Sequence, residues 1–296
     1  MARNQLFWQS KLVLLLVVPF VAAGVVLQTH WWAYADAPVA LWTLGISAVL
    51  GLVAFKLRSA TLAAAATGAV ITASLMFSTA TLPYLPWRTA LIPVLVLMVL
   101  TALSTSAGRQ RKQQLGTAED RSGRTAAQVA SNLGFAALAS SEAAQSLLST
   151  SGWLPDAAQA PMLPLTVGLA ALAEAAADTV SSELGQLLSA QPRLLTTLRP
   201  VAPGTDGAIS LGGTTAGICA AALIAATGAA TLHGGLIMFA VSWSGAIFGL
   251  FFDSLLGATL ERPGWLNNDA VNFLSTVAAS AFALVLLALL AYTRNA

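Results

Sequence analysis

Four carboxylates, Glu174, Asp178, Glu183 and Asp253, stand inside or at the edge of stretches otherwise fit for lipid. A charged side chain at the centre of a bilayer costs several kcal/mol, roughly 3 on insertion scales. A chain that keeps four such groups is expected to use them, with carboxylates snorkelling from a helix end as the alternative for Asp178 and Glu183. Glu174, Asp178 and Ser182 are spaced by four and stack on one helical face, drifting ~40° per step. Glu183 lies ~140° around from Asp178. It joins the same site if the helix ends or unwinds near Ser181-Ser182, which Gly185 favours. Gly245, Gly249, Asp253 and Gly257 also recur every four residues, a face of near-bare backbone interrupted by one carboxylate. Helix packing explains such glycines but not the aspartate. Carboxylates are hard oxygen donors that suit Mg²⁺. The single Cys219 and the widely separated His30 and His233 argue against disulfide, multi-cysteine and histidine metal sites.

Other polar groups keep company with these acids. Asn268, Asn272 and Ser275 share a face at the start of the last apolar stretch. An N-cap accounts for Asn267 or Asn268 but not for Asn272, one turn deeper. Gln128, Asn132 and Glu142 fall within ~80° of one another. Glu142, much deeper, is read as an interhelical hydrogen-bonding residue. The segment 203–214, with Gly204, Thr205, Asp206, Gly207 and Ser210, is glycine- and hydroxyl-rich and leads into a helix N-terminus. Backbone N–H groups and the helix dipole there favour phosphate, although a turn explains the composition equally well. It is not a Walker motif, since no Gly-Lys-Ser/Thr follows. Arg193 and Arg199 just upstream offer the cationic half of a phosphate site; an orientation signal also accounts for them.

The elements that must carry these residues are membrane helices. Of the 296 residues, 57% are hydrophobic and 9% charged, against roughly 25% charged in a soluble domain. About nine apolar spans follow, at 11–28, 38–55, 59–81, 89–106, 126–148, 162–185, 209–230, 234–257 and 270–292, each near the ~20 residues that cross a bilayer. The expected fold is an all-α polytopic helix bundle. Arg3, Lys11 and the later Ala33-Tyr34-Ala35 resemble a secretory signal. The apolar run is too long for one and Trp31-Trp32 suit an interfacial belt, so an uncleaved helix is expected. With the N-terminus cytoplasmic, all of the 14 basic residues except Arg88 and Arg294 fall on the inner side, as the positive-inside rule requires. Residues 1–106 form a plain four-helix segment, 107–125 a basic cytoplasmic loop read as a solvated orientation signal, with attraction to anionic headgroups or substrate as the alternative, and 126–296 the part that carries the chemistry.

In this topology spans five, seven and nine present their N-termini to the cytoplasm, and the carboxylates of spans six and eight end on the same side. An ion pathway would place acids near mid-membrane instead. Carboxylates that hold Mg²⁺, helix N-termini and arginines are equipment for nucleotide phosphates.

Residues from about 120 to 292 resemble the phytyl-phosphate kinase family, which includes transmembrane protein 19 and is also known as domain of unknown function 92. The resemblance rests on Ala177-Asp178-Thr179 with Ser182-Glu183-Leu184-Gly185; Pro192-Arg193-Leu194 with Thr196; the run 203–214; 253–259 from Asp253-Ser254; and 268–272 from Asn268-Asp269. Val180 stands where the family usually has Trp, Leu133 where Gly is common, and Glu261 where Gln is usual; no carboxylate of the site is lost. The resemblance implies phosphorylation of an isoprenoid monophosphate, phytyl or geranylgeranyl phosphate, to its diphosphate, with CTP or another nucleoside triphosphate as donor. On that basis Asp178, Glu183 and Asp253 are expected to hold Mg²⁺, and Arg193, Arg199, Gly204, Thr205, Asp206, Gly207 and Ser210 to bind phosphate oxygens. Asn132, Asn268 and Asn272 are expected at the substrate, with the lipid tail along the glycine face of span eight. The partners are then the isoprenoid phosphate, the nucleotide and membrane lipid, with no nucleic acid. High alanine content and the lack of an organellar transit sequence point to a bacterial inner membrane. A lipid-phosphate cytidylyltransferase and a membrane transporter are the alternative readings.

Overall fold

The structure, a computed structural model, describes residues 7–115, 123–150, 162–189 and 191–295. It is an all-α bundle, as expected. The helices are α1 (Trp8–Ala35), α2 (Ala37–Lys56), α3 (Leu62–Ser78), α4 (Leu91–Ser106), α5 (Arg109–Leu115), α6 (Ala126–Ser140), α7 (Glu142–Thr150), α8 (Met162–Leu188), α9 (Leu211–Thr231), α10 (Gly235–Leu256) and α11 (Asn268–Asn295). The one sheet among the described residues is a two-residue pair, β1 (Arg193–Leu194) antiparallel to β2 (Ala208–Ile209). By length and composition α1, α2, α9, α10 with its extension to Glu261, and α11 suffice to cross a membrane; α3 and α4 are shorter apolar helices.

Local chemistry sets several starts. Thr61 accepts from Ala64 N at 3.2 Å and opens α3. Thr125 and Gln128 form a reciprocal capping box that opens α6. Ser210 accepts from Gly213 N at 3.1 Å and opens α9. At its end α10 widens into a single π-turn, Gly257–Glu261, so this element runs four residues beyond the expected boundary at 257.

The centre of the bundle is α8. Its residues 164–177 are buried without interruption, because small side chains all round let neighbours close in from every side. Helices α4, α6, α9, α10 and α11 surround it. One hydrophobic core joins Val17, Ile71, Leu75, Val94 and Leu97 of the first four helices to Ala130, Leu172, Ile224 and Leu250. The outer faces of α1 and α2 expose Leu15, Phe20, Leu27, Leu41, Trp42 and Leu52, the apolar surface a lipid solvent favours.

Two expectations are corrected. The span expected at 126–148 is two helices, broken at Ser141, whose backbone is extended at φ −63° and ψ 154°. Glu142 therefore starts α7, exposed, at a helix N-terminus where its charge is favoured, and is not an interhelical bonding residue. The glycine face of α10 is also not a bed for a lipid tail. A Cβ on Gly245 would lie 2.6 Å from Ala279 O, and one on Gly249 2.5 Å from Glu174 Cγ and 2.8 Å from Ala279 Cβ. That face is filled by α8 and α11.

Gly→Ala in an open helix normally gains about 1 kcal/mol of propensity. Gly45→Ala, with nothing within 4 Å of the new methyl, is expected to hold or raise the unfolding temperature of the detergent-solubilised protein. Gly249→Ala is expected to lose roughly 1–3 kcal/mol through overpacking. Thermal unfolding of the two variants side by side checks the contrast.

Candidate functional site

Five helix ends meet around a cavity of about 380 Å³. The start of α6 brings Arg124, Gln128 and Asn132 to it; the last turns of α8 bring Asp178, Thr179, Ser181, Ser182 and Glu183. The 203–210 loop lines one wall with Gly204, Thr205, Asp206, Gly207 and Ser210. Helix α10 adds Asp253 and Ser254, the π-turn adds Glu261, and the start of α11 adds Asn268 and Asn272. The loop is pressed against the π-turn so closely that a Cβ on Gly207 would overlap Ala258, and Gly207 itself takes φ +72°.

Hydrogen bonds fix the far wall. Asn272 Nδ2 donates to Asn132 Oδ1 at 3.1 Å in a buried contact, and Asn132 Nδ2 donates to Gln128 O at 2.9 Å. The two asparagines thus lock α6 to α11 at the cavity wall. Beneath them Glu174 is 1% exposed, one turn deeper than Asp178. Glu174 Oε1 and Asp253 Oδ2 are buried with no hydrogen-bond partner among the described residues. The Ser275 hydroxyl lies beside both carboxylates, yet it donates to Asn272 O at 2.9 Å. One proton cannot satisfy three acceptors.

The electrostatics are strongly acidic. Asp178 is within Coulombic reach of Glu183 and of Arg124. Asp253 feels Asp178, Glu174 and Glu261. Crowded carboxylates repel one another, so an electropositive occupant lowers the energy of the whole cluster. Even so, among the described residues no three His, Cys, Asp or Glu side chains gather closely enough to hold one ion. The triad of Asp178, Glu183 and Asp253 shares a cavity but does not form a cage.

Glu183 has partners of its own. Its Oε1 accepts from Thr105 Oγ1 at 3.1 Å, and its Oε2 is 2.5 Å from Lys112 Nζ. Lys112, on α5, is only 1% exposed and also donates to Ser104 O at 2.7 Å and Thr105 O at 3.3 Å. Of the basic segment expected to be solvated, 109–115 is a short helix that inserts one lysine into the bundle, and 116–122, with Arg121, lie outside the described residues. A run of like charges reads as surface, and nothing in its pattern singles Lys112 out.

Arg193 and Arg199 lie outside the cavity, on the exposed hairpin. Arg193 Nη1 donates to Leu198 O at 2.7 Å and so braces the turn. The cation that does line the cavity is Arg124, which sequence reading grouped with the solvated loop. A signal was present: Thr125-x-x-Gln128 is a capping box, and it puts Arg124 one residue before a helix mouth.

The first helix also reaches this end of the bundle. Ser10 Oγ donates to Asp269 Oδ2 at 2.5 Å, Asn267 Nδ2 donates to Ser10 Oγ at 2.7 Å, and Gln9 Nε2 donates to Trp265 O at 3.2 Å. The N-terminal end of α1 is thereby tied to the turn that delivers Asn268 and Asn272.

The family model for integral membrane protein DUF92 matches residues 45–280. The chain belongs to the DUF92 family. Among its relatives, membrane protein sll0875 of Synechocystis is 33% identical over 205 residues, 68% of this chain and 74% of that protein. Membrane protein MJ0933 of Methanocaldococcus jannaschii is 45% identical over 109 residues, 37% of this chain and 45% of that protein. The chloroplastic protein VTE6 of Arabidopsis thaliana is 35% identical over 112 residues, 37% of this chain and 34% of its own length. The match thus spans less than half of the archaeal and plant relatives. No solved structure matches the chain. The DUF92 match begins within α2, so it takes in α3, α4 and α5 as well as the helices that line the cavity.

Removing one partner of a buried ion pair costs roughly 3–5 kcal/mol, because the other charge is left uncompensated. Lys112→Met is therefore expected to destabilise the protein by about 3 kcal/mol. Lys112→Met combined with Glu183→Gln should be less destabilised than the single variant. Denaturation of the two variants in the same detergent checks the sign of the coupling.

Proposed function

We propose that this protein is a membrane-embedded isoprenoid-phosphate kinase working at the cytoplasmic face. A phosphate oxygen of phytyl, geranylgeranyl or a longer polyprenyl monophosphate attacks the γ-phosphorus of CTP or another nucleoside triphosphate. The bond from the γ-phosphorus to the β–γ bridging oxygen breaks, and the products are the isoprenoid diphosphate and the nucleoside diphosphate. The observation that carries this reading is one cavity that combines acids, a helix N-terminus and an arginine at the end of a lipid-facing bundle. Family membership and the motifs that resemble phytyl-phosphate kinases support it.

The donor set suits Mg²⁺. The oxygens are hard, and Asp253 Oδ2 is an orphaned buried acceptor. Mg²⁺ is commonly held by one or two carboxylates together with substrate phosphates, which agrees with the lack of a three-residue cage. Asp178 and Asp253 would hold it, and its charge would neutralise the transferring phosphoryl group. The chain's own residues do the rest. The 203–210 loop and the N-terminal N–H groups of α9 cradle phosphate oxygens, with Ser210 fixing that helix start. Asn132 and Asn272, locked to one another, orient the acceptor phosphate. Glu183, held by Lys112 and Thr105, fixes the end of α8 and so the position of Asp178. Phosphoryl transfer needs positioning and charge stabilisation more than a protein nucleophile.

Purified protein in nanodiscs is expected to convert phytyl monophosphate and CTP, or another nucleoside triphosphate, to phytyl diphosphate, and EDTA should abolish the reaction. Asp178→Asn and Asp253→Asn should each lower kcat by about 10²–10³. Release of pyrophosphate with a CDP-lipid product would assign cytidylyl transfer instead. No diphosphate with any prenyl phosphate and nucleotide, or variants as active as wild type, would sink the kinase reading.

A further inference from the structure

The first four helices carry no chemical motif, yet their loop holds a residue of the cavity in place. Arg124 N donates to Ser59 O and Thr61 N donates to Arg124 O, both at 3.0 Å. Together these make a parallel bridge between Ala60 and Arg124. The bridge is tight. Gly123 takes φ +77°, and a Cβ there would lie 2.6 Å from Ser59 C and 2.7 Å from Ala60 N. Only glycine accepts both the left-handed backbone and that approach. On the other side of Arg124, the Thr125–Gln128 capping box starts α6. The backbone of Arg124 is thus clamped from both directions. Its guanidinium carries the only positive charge among the described residues lining the cavity.

An anionic ligand entering a space already lined by Asp178, Asp253, Asp206 and Glu261 meets strong repulsion. A guanidinium on this clamped backbone offsets the repulsion, and its planar fork suits bidentate contact with a phosphate. We propose that Arg124 is the phosphate anchor for the lipid substrate and that the 58–61 loop, through Gly123, is its positioning clamp. This rests on the kinase reading for the identity of the ligand as an isoprenoid monophosphate. A plain alternative is that Arg124 serves only to neutralise Asp178, which lies within its Coulombic reach.

Equilibrium binding of phytyl monophosphate to the full chain in nanodiscs, in EDTA, separates the two. Charge-assisted contacts of this kind are worth at least about tenfold in affinity. Arg124→Gln should weaken binding by that factor both in the wild-type background and in Asp178→Asn. Arg124→Lys should recover part of the loss, and Gly123→Ala should reproduce it with Arg124 still present. Phytol, which has no phosphate, should bind wild type and Arg124→Gln alike. In turnover, Arg124→Gln should raise KM for the lipid phosphate more than it lowers kcat. Equal affinity of Asp178→Asn with and without Arg124→Gln overturns the anchor, as does an equal loss for phytol. Arg124-dependent binding without nucleotide turnover leaves the anchor standing and removes the kinase reading. Failure of wild type to bind phytyl monophosphate both in EDTA and with Mg²⁺ removes both.

Discussion

Close packing around α8 is the condition on which everything else depends. Alanines let five helices approach it, and glycines on α10 leave room for the stem of Glu174 between two backbones. Without that closeness Glu174 and Asp253 would be separate charges in lipid, each too costly to keep. With it they become neighbours beside Ser275, Asp253 in the cavity wall and Glu174 one layer beneath, both in the field of Asp178. The glycine pattern and the carboxylates are therefore one feature: the glycines are the reason the acids can be gathered.

The second consequence concerns division of labour. Three contacts from the N-terminal helices reach the residues around the cavity. Ser10 holds Asp269 at the mouth of α11, Ser59 and Thr61 hold Arg124, and Thr105 with Lys112 holds Glu183. None of these N-terminal residues lines the cavity. They hold the backbone or pair with the side chain of residues that line it or, for Asp269, stand next to one that does, which is how a scaffold gives precision to a site built on helix ends.

Much of this was legible in the sequence because membrane helices announce themselves by length and apolar character. The convergence of helix ends was legible too. Alternating spans put Asn132, Asp178, Ser210, Asp253 and Asn272 at the same end, and that is where they lie. What was hidden depends on tertiary contacts. Lys112 sits in a run of charges that reads as solvent-exposed, and only the approach of α8 shows that its ammonium is buried. Gly249 reads equally as a lipid groove or a packing face until the neighbour is known. Arg193 and Arg199 sit beside the cavity-lining loop in sequence, but they are exposed on the β1–β2 hairpin. The break at Ser141 was masked by alanine, which favours helix on both sides of it.

The proposed kinase needs a divalent cation on Asp178 and Asp253 within reach of the lipid phosphate held by Arg124, Asn132 and Asn272. Mn²⁺, a paramagnetic stand-in for Mg²⁺, broadens the ³¹P signal of any phosphate bound beside it. Wild-type protein in nanodiscs with phytyl monophosphate should show strong Mn²⁺-induced broadening that disappears in Asp253→Asn. Broadening of equal strength in the variant, or none in wild type, would contradict the account.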